Sequence, residues 1–114
     1  MFVVGTIVAE GFDFKCKVED RYWLLVGHVE QCTAQNVSIT SRDEEITSVN
    51  GRTEPMNLQY LDIERQTVHY LPKGIDKFFP NLKGLEVRHS KLMSLAQDDL
   101  KSLTQLKQIT IERF

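Results

Sequence analysis

Leu58-Gln-Tyr-Leu61-Asp-Ile63, Leu82-Lys-Gly-Leu85-Glu-Val87 and Leu106-Lys-Gln-Ile109-Thr-Ile111 share one pattern, LxxLxL with Ile or Val standing in for Leu, and each begins 24 residues after the one before. The recurrence runs past these segments: Val68 aligns with Leu92, Leu71 with Leu95 and Phe79 with Leu103. Six apolar positions therefore repeat between the first two units, more than chance places at one spacing. Alternation within xLxL marks a short strand, with Leu61 and Ile63 turned inward and Asp62 and Glu64 outward. One such unit cannot bury its apolar side alone. Stacked units share a continuous core, and their strands line up as a parallel sheet on one face.

A period of 24 falls within the span of about 20–29 residues and the pattern LxxLxLxxNxL that define leucine-rich repeats. The return half of each unit runs on the opposite face. Leu71-Pro72-Lys73-Gly74-Ile75 reads as a turn, because Pro and Gly punctuate it. Gln97 to Leu103 reads as a short helix whose acidic start, Asp98-Asp99, suits a helix N-terminus. Phe78-Phe79 reads as core at the turn. The motif's Asn position holds Gln66 and then Ser90, which can also hydrogen-bond the turn after the strand.

The chain has 114 residues with 41% hydrophobic and 26% charged residues, room for one small folded domain. A net charge of −2 excludes the basic excess that phosphate neutralisation needs, so no nucleic-acid partner is expected. No apolar run reaches the roughly 20 residues of a membrane span. Residues 1–11 allow two readings. Phe2 to Ala9 is apolar and uncharged, and Ala9-Glu10-Gly11 places small residues where a signal peptidase reads, as in a signal segment truncated at its start. An apolar strand packed on the following residues is the other. Cys16 and Cys32 fit no zinc spacing and no CxxC motif. They allow either one disulfide or two unpaired thiols. Asn36-Val37-Ser38 is an N-glycosylation sequon.

Residues 12–114 resemble the N-terminal region of secreted leucine-rich-repeat proteins of insects. The resemblance rests on FxCxV around Cys16, on Trp23 and Cys32, on NVSIT at Asn36 to Thr40 and on ITSVNG at Ile46 to Gly51. Its most specific stretch is LPKGIDKFFPNLKGLEV from Leu71 to Val87. It implies an α/β leucine-rich-repeat solenoid with a parallel sheet on the concave face and an N-terminal disulfide cap. It also implies that Cys16 and Cys32 pair and shield the first repeat, and that the protein is extracellular. Residues 12–52 then form the cap, and 53–114 hold two full repeats and part of a third. Val37 and Ile39 are expected to form a capping strand beside Leu61–Ile63, and Asn50-Gly51 a tight turn.

The expected function is protein binding through the concave face. Stacked in register, exposed strand positions form the columns Asp62/Glu86/Thr110, Glu64/Arg88/Glu112 and Arg65/His89/Arg113, with Tyr60 and His89 as aromatic anchors. The same ladders can equally do no more than solvate and register the sheet. Ile109–Ile111 is expected to be an open edge available for self-association. Two other functions stay open: a segment of a larger adhesion or scaffold protein, or a cytosolic regulatory repeat protein. An enzyme is not expected, since no nucleophile elbow, P-loop, HExxH or dinucleotide fingerprint occurs. His28, His69 and His89 share no repeat position, so neither a metal nor a cofactor is expected.

Overall fold

The computed structural model describes residues 11–24 and 26–112. Apart from Gly11, the expected signal segment 1–11 lies outside them, as does Arg113. The described chain is mostly β. Its strands are β1 (Gly11–Phe14), β2 (Cys16–Trp23), β3 (Gly27–Ala34), β4 (Ser38–Ile39), β5 (Glu45–Val49), β6 (Tyr60–Glu64), β7 (Thr67–Val68), β8 (Gly84–Arg88) and β9 (Gln108–Ile111). A single helical turn, α1 (Ile75–Phe78), follows the turn expected at Leu71–Ile75, and the short helix expected at Gln97–Leu103 is another single turn, α2 (Asp98–Lys101). Pro72 and Gly74, with φ 96°, precede α1, and Pro80 follows it closely, which leaves no room for a longer helix.

The principal sheet has five strands in the order β2-β3-β6-β8-β9. The pairing is antiparallel between β2 and β3 and parallel from β3 onward. Leu61 pairs with Leu85 and Leu85 with Ile109, the register that the 24-residue alignment requires. The chain coils in a solenoid-like stack of about three turns. A second side is the parallel pair β4–β7, which the backbone continues through Val68 N–H to Ser90 O (2.8 Å) and Met93 N–H to His69 O (3.0 Å). A third side carries β5, flanked by the parallel strand β1, together with α1 and α2.

The neighbour of β6 differs from the expectation. β3 holds that place, with Cys32 against Leu61, while Ser38–Ile39 pairs with Thr67–Val68 further round the coil. The reason lies in which apolar groups face inward on the first turn. Cys32 is fully buried at the level of Leu61, and Ile39 is fully buried at the level of Val68, so residues 27–49 form a coil turn of their own. The cap is therefore the first turn of the stack with a hairpin, β2–β3, added at its edge.

The core runs through all turns: Phe14, Ile39, Ile46, Leu61, Ile63, Val68, Phe78, Phe79, Leu85 and Val87 are essentially inaccessible. Cys16 and Cys32 form a disulfide between β2 and β3, with Cα atoms 5.2 Å apart. Asn50 and Gly51 make the expected tight turn, both at positive φ, closed by paired hydrogen bonds between Val49 and Arg52. The Asn50 side chain then reaches back to β2. Its Oδ1 accepts from Cys16 N–H (3.0 Å) and its Nδ2 donates to Cys16 O (2.8 Å).

The two departures from the repeat motif are structural joints. Gln66 Oε1 accepts from Val37 N–H at 2.8 Å, and Ser90 Oγ accepts from Gln66 N–H at 3.3 Å while donating to Arg88 O at 2.9 Å. Each side chain thus ties its own turn to the one before. A second ladder at the same spacing runs along the other end of the strands, from Asn57 to Asn81 (2.6 Å) and from Asn81 to Gln105 (3.5 Å).

Candidate functional site

The outward rows of the five-stranded sheet form the candidate surface. One row runs Glu19–Gln31–Tyr60–Gly84–Gln108 across the strands, and the next Lys17–Thr33–Asp62–Glu86–Thr110. At the first row Gly84 offers no side chain, and the Tyr60 ring lies over it. A Cβ placed on Gly84 would sit 1.8 Å from Tyr60 Cε1. Trp23, at the end of the hairpin, covers the other side of that ring with centroids 4.1 Å apart. Tyr60 is consequently 0% exposed, so the expected surface anchor is instead the floor of the site. A rigid ring buried under Trp23 cannot yield cheaply. Gly84→Ala is therefore expected to destabilise the fold by about 2–3 kcal/mol and to red-shift the emission of the single Trp. In Tyr60→Ala the same glycine substitution should cost almost nothing further, which a double-mutant cycle reads.

Trp23 is held in place by a chain of polar contacts. Its indole N–H donates to Gln31 Oε1 (2.7 Å), Gln31 Nε2 donates to Thr33 Oγ1 (2.9 Å), and the Thr33 hydroxyl donates to Glu19 Oε2 (3.0 Å). Arg21 closes the chain by donating from Nε and Nη2 to the same Glu19 oxygen. Glu19 lies below its ordinary pKa, chiefly because of the Arg21 hydrogen bonds.

Between hairpin and sheet lies a polar cleft of about 350 Å³. Asp62, Glu64 and Glu86 line it from the strands, Gln108 from β9, and Arg21, Tyr22 and Leu24 from the hairpin. Asp62 is half-buried. One carboxylate oxygen has only Gln31 Nε2 at 3.5 Å, and the other, Oδ1, has no partner. Burial, then the negative charge of Glu86 and Glu64, pushes its pKa up to about 6, against the smaller pull of Arg88 and Arg21. A hollow of similar size on the cap's flank, lined by Val18, Glu30, Arg52 and Met56, contains no unpartnered buried polar side-chain atom.

The folded chain holds the Asp62 proton more tightly than the unfolded one, so its contribution is most favourable below about pH 4 and is lost as pH rises through 6. Asp62→Asn is expected to raise the melting temperature by a few degrees at pH 7.5, roughly 1 kcal/mol for a screened, half-buried carboxylate. The gain should vanish near pH 4. Equal melting temperatures for both chains at pH 7.5 would count against the burial of this charge.

The remaining expected residues fall into two groups. Glu64, Glu86, Arg88 and Glu112 share the outward face. Arg88 bonds Glu86 two residues back on its own strand at 2.6 Å and approaches Glu112 at 3.7 Å. Arg65 and His89 occupy equivalent positions just past their strands, at φ 57° and 51°, where the chain leaves the sheet. They are exposed, and His89 Nε2 lies 3.6 Å from Glu112. Asn36, the sequon residue, is exposed at φ 53° on the turn before β4, away from this face. Sequence reasoning missed Gln31, Arg21, Tyr22, Leu24 and Gln108. Gly27, which opens β3 with three residues between it and the end of β2, was the available turn signal for the hairpin. Among the described residues, no three metal-ligating side chains converge and no helix is long and apolar enough to cross a membrane.

Comparison of the chain with protein-family models, with curated proteins and with solved structures finds no match.

Proposed function

We propose that this chain is an extracellular protein-binding module of the leucine-rich-repeat type, similar to the capped N-terminal regions of secreted insect proteins, and that it engages its partner with the outward face of the five-stranded sheet and the tip of the β2–β3 hairpin. The observation that carries the reading is the makeup of that surface. Half-buried charges at Asp62, Glu64 and Glu86 adjoin Tyr22 at 64% and Leu24 at 82% exposure, and Arg88 and Glu112 continue the same outward face. A large aromatic and a leucine held out to solvent beside fixed polar groups are the composition of an interface core with its rim. The 24-residue register, and the bonds that Gln66 and Ser90 make at the motif's Asn position, support the repeat assignment. The disulfide is compatible with an oxidising compartment, and the exposure of Asn36 leaves the sequon accessible.

Two measurements test it. Protein secreted from eukaryotic cells behind a signal peptide should gain two hydrogens on reduction and lose mass to an N-glycosidase; two free thiols and no glycan would move the chain inside the cell. The chain should also select a ligand from a panel of purified extracellular domains, and Tyr22→Ser with Leu24→Ser should weaken that binding at least about tenfold, as truncation of an interface anchor does. Binding unchanged by this pair, but lost on altering the opposite face, would overturn the assignment. Self-association through β9, whose Ile109 is 44% exposed, is the second reading, and sedimentation at rising concentration reports it.

A further inference from the structure

Asn50-Gly51 is the one Asn-Gly pair in the chain; Asn36 precedes Val37, and Asn57 and Asn81 precede Leu58 and Leu82. Asparagine before glycine is the pair most prone to deamidate, because no Cβ shields the following backbone nitrogen from the side-chain amide. That nitrogen attacks the amide carbon Cγ. The N–Cγ bond forms, and the amide nitrogen leaves as ammonia with the proton that the attacking nitrogen gives up. Water then opens the cyclic imide at either carbonyl. One opening yields aspartate, and the other yields isoaspartate, in which the backbone runs through Cγ. The sum consumes water and releases ammonia, with no other reactant.

Both reacting groups are tied down by the folded cap. Asn50 Oδ1 accepts from Cys16 N–H (3.0 Å), and Nδ2 donates to Cys16 O (2.8 Å). Ring closure draws Cγ against its own backbone and expels Nδ2, so the side chain must leave Cys16 first. The Gly51 N–H is committed as well. It donates to Asp13 Oδ1 at 2.8 Å, and the Ser48 hydroxyl donates to the same oxygen at 2.6 Å. These bonds hold Asp13 below its ordinary pKa, which makes it a poor base for the Gly51 proton. Asn50 N–H donates to Phe14 O (3.0 Å), and Val49 and Arg52 close the turn. Asn50 and Gly51 are nevertheless exposed, so water reaches them as soon as the ties part.

We propose that Asn50 is a deamidation site that the folded cap protects and that opening of the cap releases, so that a transient opening becomes permanent. Local opening sets the rate, since the parent turn must first come free of β1 and β2. The product no longer fits the place it left. An aspartate side chain has no donor for the Cys16 carbonyl and sets a negative oxygen against it. An isoaspartate lengthens the backbone of a two-residue turn that paired hydrogen bonds between Val49 and Arg52 close. Either product takes from the Cys16 backbone a partner that the fold had supplied, and the cap re-forms less readily. The turn therefore records how often the cap has opened, as chemical modification of an open state does.

The test follows the oxidised full chain in buffer and in guanidinium chloride at one mildly alkaline pH, by intact mass and by peptide mapping that resolves aspartate from isoaspartate. In denaturant, Asn50 should convert to both products while Asn36, Asn57 and Asn81 stay intact. In buffer the conversion should be at least about tenfold slower, the protection that a closed local structure confers. Asp13→Ala frees the Gly51 N–H and should raise the native rate at least several-fold, with unchanged Trp23 emission showing that the chain is folded. Should that variant not fold, hydrogen exchange of the parent's Gly51 N–H decides: slow exchange supports the protection, and exchange as fast as in a free amide overturns it. Asn50→Asp should fold with its disulfide formed and show a lower denaturant midpoint than the parent. Equal rates in buffer and denaturant would overturn the proposal. So would a native rate that falls in Asp13→Ala, because the turn would then be promoting the reaction. An unmoved midpoint in Asn50→Asp would show that the product still fits and that the opening is not made permanent.

Discussion

Phe79→Ala is expected to lower the unfolding free energy by about 3–5 kcal/mol, the range for deleting a buried phenylalanine, and to depress the melting temperature by roughly 15 °C or more. Phe79 is 0% exposed and sits where α1 ends. Its ring meets Phe14 of β1 edge-on, with centroids 6.4 Å apart, so one side chain joins the first turn of the stack to the second. Its backbone is also committed: its N–H donates to Ile75 O (2.8 Å), and its carbonyl accepts from Leu82 N–H (3.2 Å). The void left by alanine cannot be filled by collapse of one loop, because the lining comes from separate turns. The next turn places Leu103 at this position, 7% exposed. Phe79→Leu should accordingly cost much less, about 1–1.5 kcal/mol. Urea titration with unchanged slope measures both. A cost below about 1.5 kcal/mol for alanine, or equal costs for alanine and leucine, would show that the two turns are not joined here.

That position was legible in the sequence because periodicity reports burial. Leu61, Ile63, Leu85 and Val87 recur at one spacing since each must fill the same place in a stacked core, and their strands pair in the register that the spacing dictates. Ser90 and Gln66 were legible as hydrogen-bonding substitutes for the same reason. The amide ladder Asn57–Asn81–Gln105 obeys the identical spacing, but it sits on polar residues just before each leucine, where apolar alignment does not look. The hairpin was harder. Of the eight residues of β2, only Cys16 and Trp23 are buried, so most of the strand shows no apolar pattern. Its partner β3 belongs to a turn with no leucine motif, and the sequon strand was assigned its place beside β6. The fate of Tyr60 followed from this omission. Alternation put it correctly on the outward face, but only knowledge that Trp23 folds over it, and that Gly84 clears the adjacent space, turns an exposed anchor into a buried floor. The columns of charge were readable one strand at a time. Their meaning as walls of a cleft depended on the hairpin.

Replacing Cys16 and Cys32 together by alanine is expected to cost about 3 kcal/mol, the chain-entropy value for a cross-link of about 15 residues; the separation here is 16. Both sulfur-bearing residues are buried, at 7% and 0% exposure, so cavity formation adds to the loss. Comparing the double variant with reduced parent protein separates the two terms, because reduction breaks the cross-link but keeps the side-chain volume. The folded state itself should persist in both. Asn50 still holds the Cys16 backbone through two hydrogen bonds, and eight residue pairs still join β2 to β3. Trp23 lies at the opposite end of the hairpin from the disulfide, so its native emission should remain that of the oxidised parent while the urea midpoint falls. A midpoint unmoved by reductant would mean that the cross-link adds nothing to the stability of the coil. A collapse of Trp23 emission before any urea is added would mean that the disulfide, and not the Gln31 and Tyr60 contacts, holds the hairpin over the cleft. The expected separation of these two readouts makes the disulfide a source of stability and leaves the shape of the sheet's outward face to the indole, the glutamine and the buried tyrosine.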